Sequence, residues 1–321
     1  MNRIIATVVL IFFSFNLIAQ QKDFEGVLVY RVAVQSKSEL VSDRVLKTLL
    51  AVGNDVTIWL KHGNYRQISG ISDIYFINKA QKVYFKFKNL DTLYYLDYNS
   101  DTTVVTKVTK SNEKKNIAGY DCSLLTVRSG ETTRQYYYSP SLYMDPEYDK
   151  NNTIGRYDAF VKETSSLYLE FTEDAKTYSA SQTCTKVRST PVPDSVFELP
   201  KLPQKKFDLE ELTIPPEFTK TGGWAKYLET SVDKEVAAKY VKIPKGEDLG
   251  SEKVIVKFMI NEYGRVAYAE VENKKEVNSK LAEEALRIVN ASPLWKPATV
   301  YGGEKTIFWL KVPIVFQATR K

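Results

Sequence analysis

Few residues in this chain have the chemistry that catalysis needs. His62 is the only histidine among 321 residues, and Cys122 and Cys184 are the only cysteines. One imidazole and two separated thiols do not make a tetrahedral zinc set, and no Gly-x-Ser-x-Gly elbow accompanies His62 for a serine triad. The acidic pairs at 210–211 and 283–284 fall in charged segments typical of solvated surfaces. The sequence therefore predicts a protein that is not an enzyme and has no metal or cofactor.

The N-terminal segment indicates the compartment. Arg3 gives a positive start, Ile4 to Ile18 is an almost unbroken apolar run, and Ala19 is followed by polar residues. This is typical of a signal peptide over residues 1–19, because the apolar run is shorter than the roughly 20 residues that a membrane-spanning helix needs. We expect cleavage and a periplasmic or secreted mature protein. An uncleaved membrane anchor is the alternative.

Charge excludes one class of partner. The formal charge of +6 comes from 45 Lys and Arg against 39 Asp and Glu, with the two signs interspersed. No basic stripe with interleaved aromatic residues is present, so we expect no nucleic acid partner.

The two cysteines leave two alternatives open. In an oxidising compartment, Cys122 and Cys184 either form a structural disulfide or stay as small buried thiols. They do not form a Cys-x-x-Cys motif, so no redox role is expected.

Alternation of apolar and polar residues dominates residues 24–200. Leu28, Tyr30, Val32 and Val34 share one face of the first run. Further alternating runs, separated by turn-forming residues, lie at 56–60, 83–88, 93–98, 102–108, 123–127, 134–138, 167–171 and 177–187. This pattern predicts an antiparallel meander of strands. Residues 38–52 differ, because their apolar positions have helical spacing and predict an amphipathic helix against the sheet.

The next segments have other patterns. Six of the 12 prolines lie between residues 191 and 216, and residues 201–221 are predicted to be a semi-rigid linker. Beyond it, alternation at 254–260 and 266–271 predicts a hairpin. Asn278 can cap a helix that runs to about Asn290, and a final strand follows at 306–316.

Residues from about 222 to 316 resemble the C-terminal domain of the TonB family. The similarity lies in the strand, strand, helix, strand order and in motif residues at Gly264, Ala282, Ala285, Ser292 to Ala298, Gly302, Gly303 and Pro313 to Phe316. The proline that commonly follows the entry helix is absent. The fold class expected for the whole chain is α+β, with a curved antiparallel half-barrel and a helix at residues 24–200 and a small ββαβ domain at residues 222–318.

The TonB resemblance implies an exposed edge strand that accepts an extended peptide. In that family the peptide is the TonB box of outer-membrane receptors. The residues carried over to this strand are Thr306, Ile307, Phe308, Trp309, Leu310, Lys311 and Val312. Trp295, Lys296 and Pro297 either contact the partner or close the small core. Pro313 agrees with an edge position, because proline lacks an amide hydrogen.

A second resemblance covers residues 24–200. The segments 114–122, 136–139 and 194–200 are similar to GLPGLI-type secreted proteins and, more distantly, to the outer-membrane lipoprotein carrier family. This resemblance implies a half-barrel with a helix across its concave face, able to hold a lipid or another hydrophobic ligand. The cavity residues expected are Leu28, Tyr30, Val83, Phe85 and Phe87, although the same residues could instead fill an ordinary core.

These observations predict an envelope protein that binds a TonB-dependent receptor or another envelope partner and is associated with transport across the outer membrane. Two alternatives stay open. One is a periplasmic carrier or sensor of a hydrophobic ligand, and the other is a membrane-anchored energy transducer of TonB type.

Overall fold

The computed structural model describes residues 21–320. The predicted signal peptide lies outside these residues. The N-terminal part consists of β1 (Gly26–Ser36), α1 (Asp43–Leu49), β2 (Asp55–Lys61), β3 (Asn64–Ile68), β4 (Ser72–Ile77), β5 (Lys82–Phe87), β6 (Leu93–Asp97), β7 (Val105–Ile117), β8 (Tyr120–Ser129), β9 (Thr132–Tyr143), α2 (Tyr157–Thr164), β10 (Ser166–Asp174), β11 (Tyr178–Ser189) and β12 (Gln204–Lys206).

The strands of this part form one open, curved sheet. Their order is β12-β6-β5-β4-β3-β2-β1-β11-β10-β9-β8-β7, and neighbours are antiparallel except for β12, which runs parallel to β6. β7 lies against β11 although three strands separate them in this order, so the sheet curls strongly. The ends, β12 and β7, do not pair with each other, so the sheet does not close into a barrel. The predicted curved antiparallel half-barrel is confirmed.

Alternation along the strands explains which face is buried. Leu28, Tyr30, Val32 and Val34 are all buried on the inner face of β1, while the residues between them are more exposed. Because successive side chains of a strand point to opposite faces, this spacing gives each strand one apolar face for the core.

The helices differ from the sequence prediction. The helix predicted over residues 38–52 is limited to α1, which begins after Ser42, whose hydroxyl accepts a hydrogen bond from the Val45 amide at 3.2 Å. The helix on the core-facing side of the sheet is α2, which the sequence analysis missed. Its Phe160 and Val161 are fully buried, and the Phe160 ring stacks on Tyr136 at 4.4 Å between ring centres.

The disulfide alternative is not realised. Cys122 on β8 and Cys184 on β11 are both buried free thiols, and β9 and β10 lie between them in the sheet. Burial raises the pKa of Cys122 to about 11 and also raises the pKa of Cys184, as expected for thiols packed as small apolar groups.

The segment predicted to be a linker is packed against both parts of the chain. Within residues 201–221, β12 pairs with β6, and Phe207 lies 5.3 Å from the Phe85 ring centre. Two later stretches of the same segment, residues 213–214 and 217–218, pair with strands of the C-terminal part. The high proline content therefore gives an extended chain, as predicted, but one that is fixed along its length.

The C-terminal part consists of β13 (Thr213–Ile214), β14 (Glu217–Phe218), α3 (Gly223–Ser231), α4 (Lys234–Tyr240), β15 (Leu249–Ile260), β16 (Val266–Val271), α5 (Ser279–Asn290), β17 (Trp295–Lys296), β18 (Thr299–Val300), β19 (Glu304–Lys305) and β20 (Phe308–Thr319). Its main sheet has the order β16-β15-β20. The predicted hairpin, helix and final strand are β15, β16, α5 and β20.

Two helices cover one face of this small sheet. α5 packs on β15 and β16, and α4 packs on α5 and β20. The two helices are joined by Glu284, which accepts hydrogen bonds from the Asp233 amide at 2.9 Å and from Arg287. The Arg287 hydrogen bond lowers the pKa of this buried carboxyl, so it stays charged and bound at neutral pH.

Tyr301 connects the C-terminal part to the curved sheet. Its ring stacks on Phe87 of β5 at 4.2 Å between ring centres, and its hydroxyl donates to the Leu49 carbonyl of α1 at 2.9 Å. Leu212 and Ala51 complete this shared apolar cluster.

Candidate functional site

The candidate site is the outer edge of β20. This strand pairs with β15 on one side and with no other strand among residues 21–320. Such an edge leaves a row of backbone donors and acceptors that another chain can use.

The register shows which backbone groups of β20 point outward. Opposite Pro313 on β15 is Ile255, whose amide donates to the Asn273 side chain at 2.8 Å and whose carbonyl accepts from Glu272 at 2.9 Å. Both groups of Ile255 therefore point away from β20. In an antiparallel ladder, hydrogen-bonded and non-hydrogen-bonded pairs alternate, so Pro313 also directs its backbone away from β15.

This alternation of outward-pointing and inward-pointing residues continues along β20, because its pairing with β15 has no register shift. Trp309, Lys311 and Val315 direct their amide and carbonyl groups outward, and no hydrogen bond from residues 21–320 reaches these groups. Pro313 offers only its carbonyl, because proline has no amide hydrogen. Leu310 and Val312 direct theirs toward β15. The prediction that Pro313 agrees with an edge position fits this geometry.

Two of the predicted edge residues lie before the strand. β20 begins at Phe308, whereas the Thr306 amide donates to the Ala298 carbonyl at 3.0 Å and the Thr306 side chain is buried. Thr306 and Ile307 therefore do not offer a ladder in the way that was predicted. The open ladder extends instead past Val312 toward Thr319.

The outer face beside this edge carries aromatic and basic side chains. Trp309 is 41% exposed, packs edge-on against Tyr268 with ring centres 5.8 Å apart, and lies under the Lys257 ammonium at 4.9 Å. Lys311 forms an ion pair with Glu272. The hydrogen bond that Tyr268 donates to Glu270 raises the pKa of its phenol, which is therefore neutral at physiological pH.

The second set of predicted residues is mainly structural. Trp295 is buried and packs against Phe218, Trp224 and Phe258, with ring centres 4.9 to 5.9 Å away. Trp295 therefore belongs to the core of the C-terminal part, which is one of the two alternatives that the sequence left open.

Its neighbours have different surroundings. Lys296 is exposed and pairs with Glu217 at 3.4 Å, while Pro297 is half-buried. Gly264 explains why the Trp295 backbone can approach the hairpin. It has a φ of +79°, and a Cβ there would lie 2.0 Å from the Trp295 carbonyl oxygen. The resemblance to the TonB family identified Gly264 but did not give this physical reason for a glycine there.

The predicted cavity residues divide between three places. Leu28 and Tyr30 line a cavity on the inner face of the curved sheet. Val83 instead packs with Ile74 and Tyr98, and Phe87 packs on Tyr301 in the cluster shared with the C-terminal part, with Phe85 at its border. For Val83, Phe85 and Phe87 the structure agrees with the alternative of an ordinary core, because alternation identifies an apolar face but not the cluster that it joins.

A family comparison identifies the C-terminal segment. Residues 251–318 match the family model described as "Gram-negative bacterial TonB protein C-terminal". This confirms the predicted resemblance to the TonB family. We call residues 222–318 the TonB-like domain, and β20 is its last strand.

Comparison of the whole chain with curated proteins and with solved structures adds no functional assignment. No curated protein matches the chain. Two structures of PNGF-II, in space groups P21 and C2, share 10% and 11% identity, cover 76% and 75% of this chain and 45% and 44% of their own, and have TM-scores of 0.34 and 0.33. LprF from Mycobacterium bovis shares 9% identity over 53% of this chain and 88% of its own, with a TM-score of 0.24. At such TM-scores these likenesses do not bear on function.

Within the part of the chain that the structure describes, no helix is both long and apolar enough to cross a membrane. Among the same residues, no group of three or more His, Cys, Asp or Glu side chains is arranged to hold a metal ion.

Proposed function

We propose that this protein binds an extended segment of another envelope protein, which adds to β20 of the TonB-like domain as a further strand. The observation that supports this proposal is the open ladder at Trp309, Lys311 and Val315, whose outward backbone groups have no partner among residues 21–320. Main-chain hydrogen bonds of this kind give affinity, and pockets for alternate side chains give specificity.

Side chains beside the edge favour a particular peptide chemistry. An added strand places every second side chain on the outer face, next to exposed Trp309 and Val315, which favour apolar residues. Lys311 and Lys257 lie on the same face, so an acidic residue in the peptide would find positive charge there. We expect the bound segment to combine apolar and acidic residues.

The TonB resemblance suggests the partner class. We propose a TonB-dependent outer-membrane receptor, whose periplasmic segment is the added strand, and hence a role associated with transport across the outer membrane. The signal peptide predicted at residues 1–19 would support export and a periplasmic location. In this proposal the protein is a binding module and not an enzyme.

The state of the N-terminus separates this proposal from the membrane-anchored transducer. Mass spectrometry of the protein purified from its native envelope measures the first residue directly. We expect the mature chain to begin at Gln20, directly after the signal peptide. An intact N-terminus starting at Met1 would instead favour an anchored protein of TonB type.

A pair of substitutions at Lys311 tests the edge itself. Lys311→Pro removes an amide that points outward and takes no part in the β15 ladder, so the domain should fold as before. Lys311→Ala removes the same side chain but keeps the amide. The assay is calorimetric titration of the mature protein with synthetic peptides copied from the periplasmic segments of the receptors of the same bacterium.

The expected result is a difference between the two variants. Lys311→Pro should weaken peptide binding about five- to tenfold or more, because one hydrogen bond is lost and the proline ring obstructs the incoming strand. Lys311→Ala should have the smaller effect. Equal binding by wild type and Lys311→Pro, or no binding by any receptor peptide to folded wild type, would rule the proposal out.

A further inference from the structure

A second site lies in the N-terminal part, at a cavity of about 200 Å³ between the inner face of the curved sheet and the segment that leads into α2. Its walls are mostly apolar and aromatic. They include Leu28, Leu60, Tyr136, Leu167 and Phe171, with Ile154 and Tyr157 from the covering segment. The first four are buried, whereas Phe171, Gln67 and Gln182 are half-buried.

One buried polar side chain in this wall lacks a partner for one of its atoms. Asn152 is 2% exposed, and its Nδ2 donates to Asp149 Oδ1 at 2.9 Å. When Asp149 is ionised, this contact fixes the amide orientation, because the opposite orientation would turn the amide oxygen toward the carboxylate oxygen. Asn152 Oδ1 is then buried and accepts no hydrogen bond from residues 21–320. A buried acceptor without a partner is costly, so a donor on a bound molecule would be favoured there.

Three tyrosine hydroxyls near the cavity are already engaged. The Tyr30 hydroxyl donates to the Tyr168 carbonyl at 2.7 Å, and the Tyr168 hydroxyl donates to Gln182 at 3.2 Å. Tyr65 donates to Asp149, outside the cavity wall. Among the lining residues, Asn152 Oδ1 is the side-chain atom that is both fully buried and without a hydrogen-bond partner, whereas the Gln67 amide and the Tyr136 and Tyr157 hydroxyls also make no hydrogen bond within residues 21–320 but are not enclosed in this way.

The lack of charged groups in the cavity wall and the volume of the cavity limit which ligands it can hold. No Lys, Arg or His lines the cavity, so an anionic ligand such as a fatty acid would be buried without a counter-ion. A cavity of 150 Å³ lined by apolar side chains holds benzene. About 200 Å³ therefore suits a ring or short chain with a few added atoms rather than the lipid that the sequence suggested.

We propose that this cavity binds a small, neutral, mostly apolar molecule with one hydroxyl or amide donor, and that this donor bonds to Asn152 Oδ1. The apolar body lies against Leu28, Tyr136 and Leu167. This site is separate from the β20 edge and stands or falls independently of it.

Three small aromatic probes, of which p-cresol and p-xylene are of equal size and p-toluate is slightly larger, test the proposal by calorimetric titration with the mature protein. p-Cresol has the ring and one donor, p-xylene replaces the hydroxyl by a methyl group, and p-toluate carries a negative charge. We expect p-cresol to bind about five- to tenfold more tightly than p-xylene, which lacks the hydrogen bond. We expect p-toluate to bind at least tenfold more weakly than p-cresol.

Variants assign the contact to Asn152. Asn152→Leu keeps the volume but removes the acceptor, so it should reduce p-cresol affinity to that of p-xylene and leave p-xylene binding unchanged. Asn151→Leu is the matched control, because Asn151 is exposed and should change neither affinity. Gln67→Trp fills the half-buried side of the cavity and should abolish both.

Three results would overturn the proposal. They are no p-cresol binding by folded wild type, equal affinities for p-cresol and p-xylene, or equal affinities for p-cresol and p-toluate. If Asn152→Leu does not fold, the comparison of the three probes on wild type and Gln67→Trp still decides the matter.

Discussion

Tyr301 offers a direct test of how the TonB-like domain is fixed to the curved sheet. Its side chain is 3% exposed, stacks on Phe87 with an angle of 4° between the rings, and donates to the Leu49 carbonyl. Leu49 is the last residue of α1, whose final carbonyls have no partner within the helix. The Tyr301 side chain therefore fills an apolar cluster and also donates a hydrogen bond to a free carbonyl at the C-terminal end of α1. Burial raises the pKa of Tyr301 to about 12, so it stays neutral.

The two parts of this interaction have different magnitudes. Tyr301→Phe removes only the hydroxyl and should reduce the free energy of unfolding by about 1 kcal/mol, with the Leu49 carbonyl left buried. Tyr301→Ala also removes the stacked ring and leaves a cavity, so the loss should be about 3–5 kcal/mol. Tyr263 is 64% exposed in the same domain, and Tyr263→Ala should change stability by less than about 0.5 kcal/mol.

Urea titration followed by circular dichroism and tryptophan fluorescence measures these losses. In Tyr301→Ala we expect the two signals to separate, because three of the four tryptophans lie in the TonB-like domain, whereas circular dichroism reports on the whole chain, and the two parts should no longer unfold together. If Tyr301→Ala were as stable as Tyr263→Ala, the stacked contact with Phe87 would contribute nothing to stability, contrary to this prediction.

Two further predictions concern buried positions. Burial raises the pKa of Asp149 from 3.8 to about 7, so the folded protein keeps a proton that the unfolded chain has released, and stability should fall as pH rises from about 4 to 7. Asp149→Asn should remove up to roughly 4 kcal/mol of this pH dependence in urea titrations between pH 4 and pH 8, and an unchanged pH profile would contradict the assignment. Gly264→Ala should cost more than about 2 kcal/mol by thermal unfolding, because of its positive φ and the contact with the Trp295 carbonyl. Gly223→Ala, also at positive φ but with open space around it, should cost clearly less, and equal losses would dismiss the steric contact.

Local pattern was enough to predict much of the fold. Alternation marks β1 correctly, because each buried residue between Leu28 and Val34 is separated by a more exposed one. In the TonB-like domain, Asn278 does cap α5, with its side chain accepting from the Lys280 amide at 2.9 Å. Pro313 carried information about the edge, since proline is tolerated where no ladder hydrogen bond is needed.

The features of the fold that could not be predicted from the sequence depend on contacts between segments that are distant along the chain. α2 is short and follows Arg156 in a left-handed conformation, with no side-chain cap to mark its start. Its position is set by packing of Phe160 on Tyr136. The packing of the predicted linker could not be read from its proline content for a similar reason, because it depends on the contact of Phe207 with Phe85. Likewise, nothing in the alternation of β5 reveals that Phe87 meets Tyr301 rather than a ligand.

Amide hydrogen exchange along β20, resolved residue by residue by NMR, tests the central claim most directly. In the free protein, the Trp309, Lys311 and Val315 amides should exchange fast and alternate with protected amides at Leu310 and Val312. Addition of a receptor peptide that binds should protect the three outward amides. Protection of those amides already in the free protein, or fast exchange in the complex, would contradict the account.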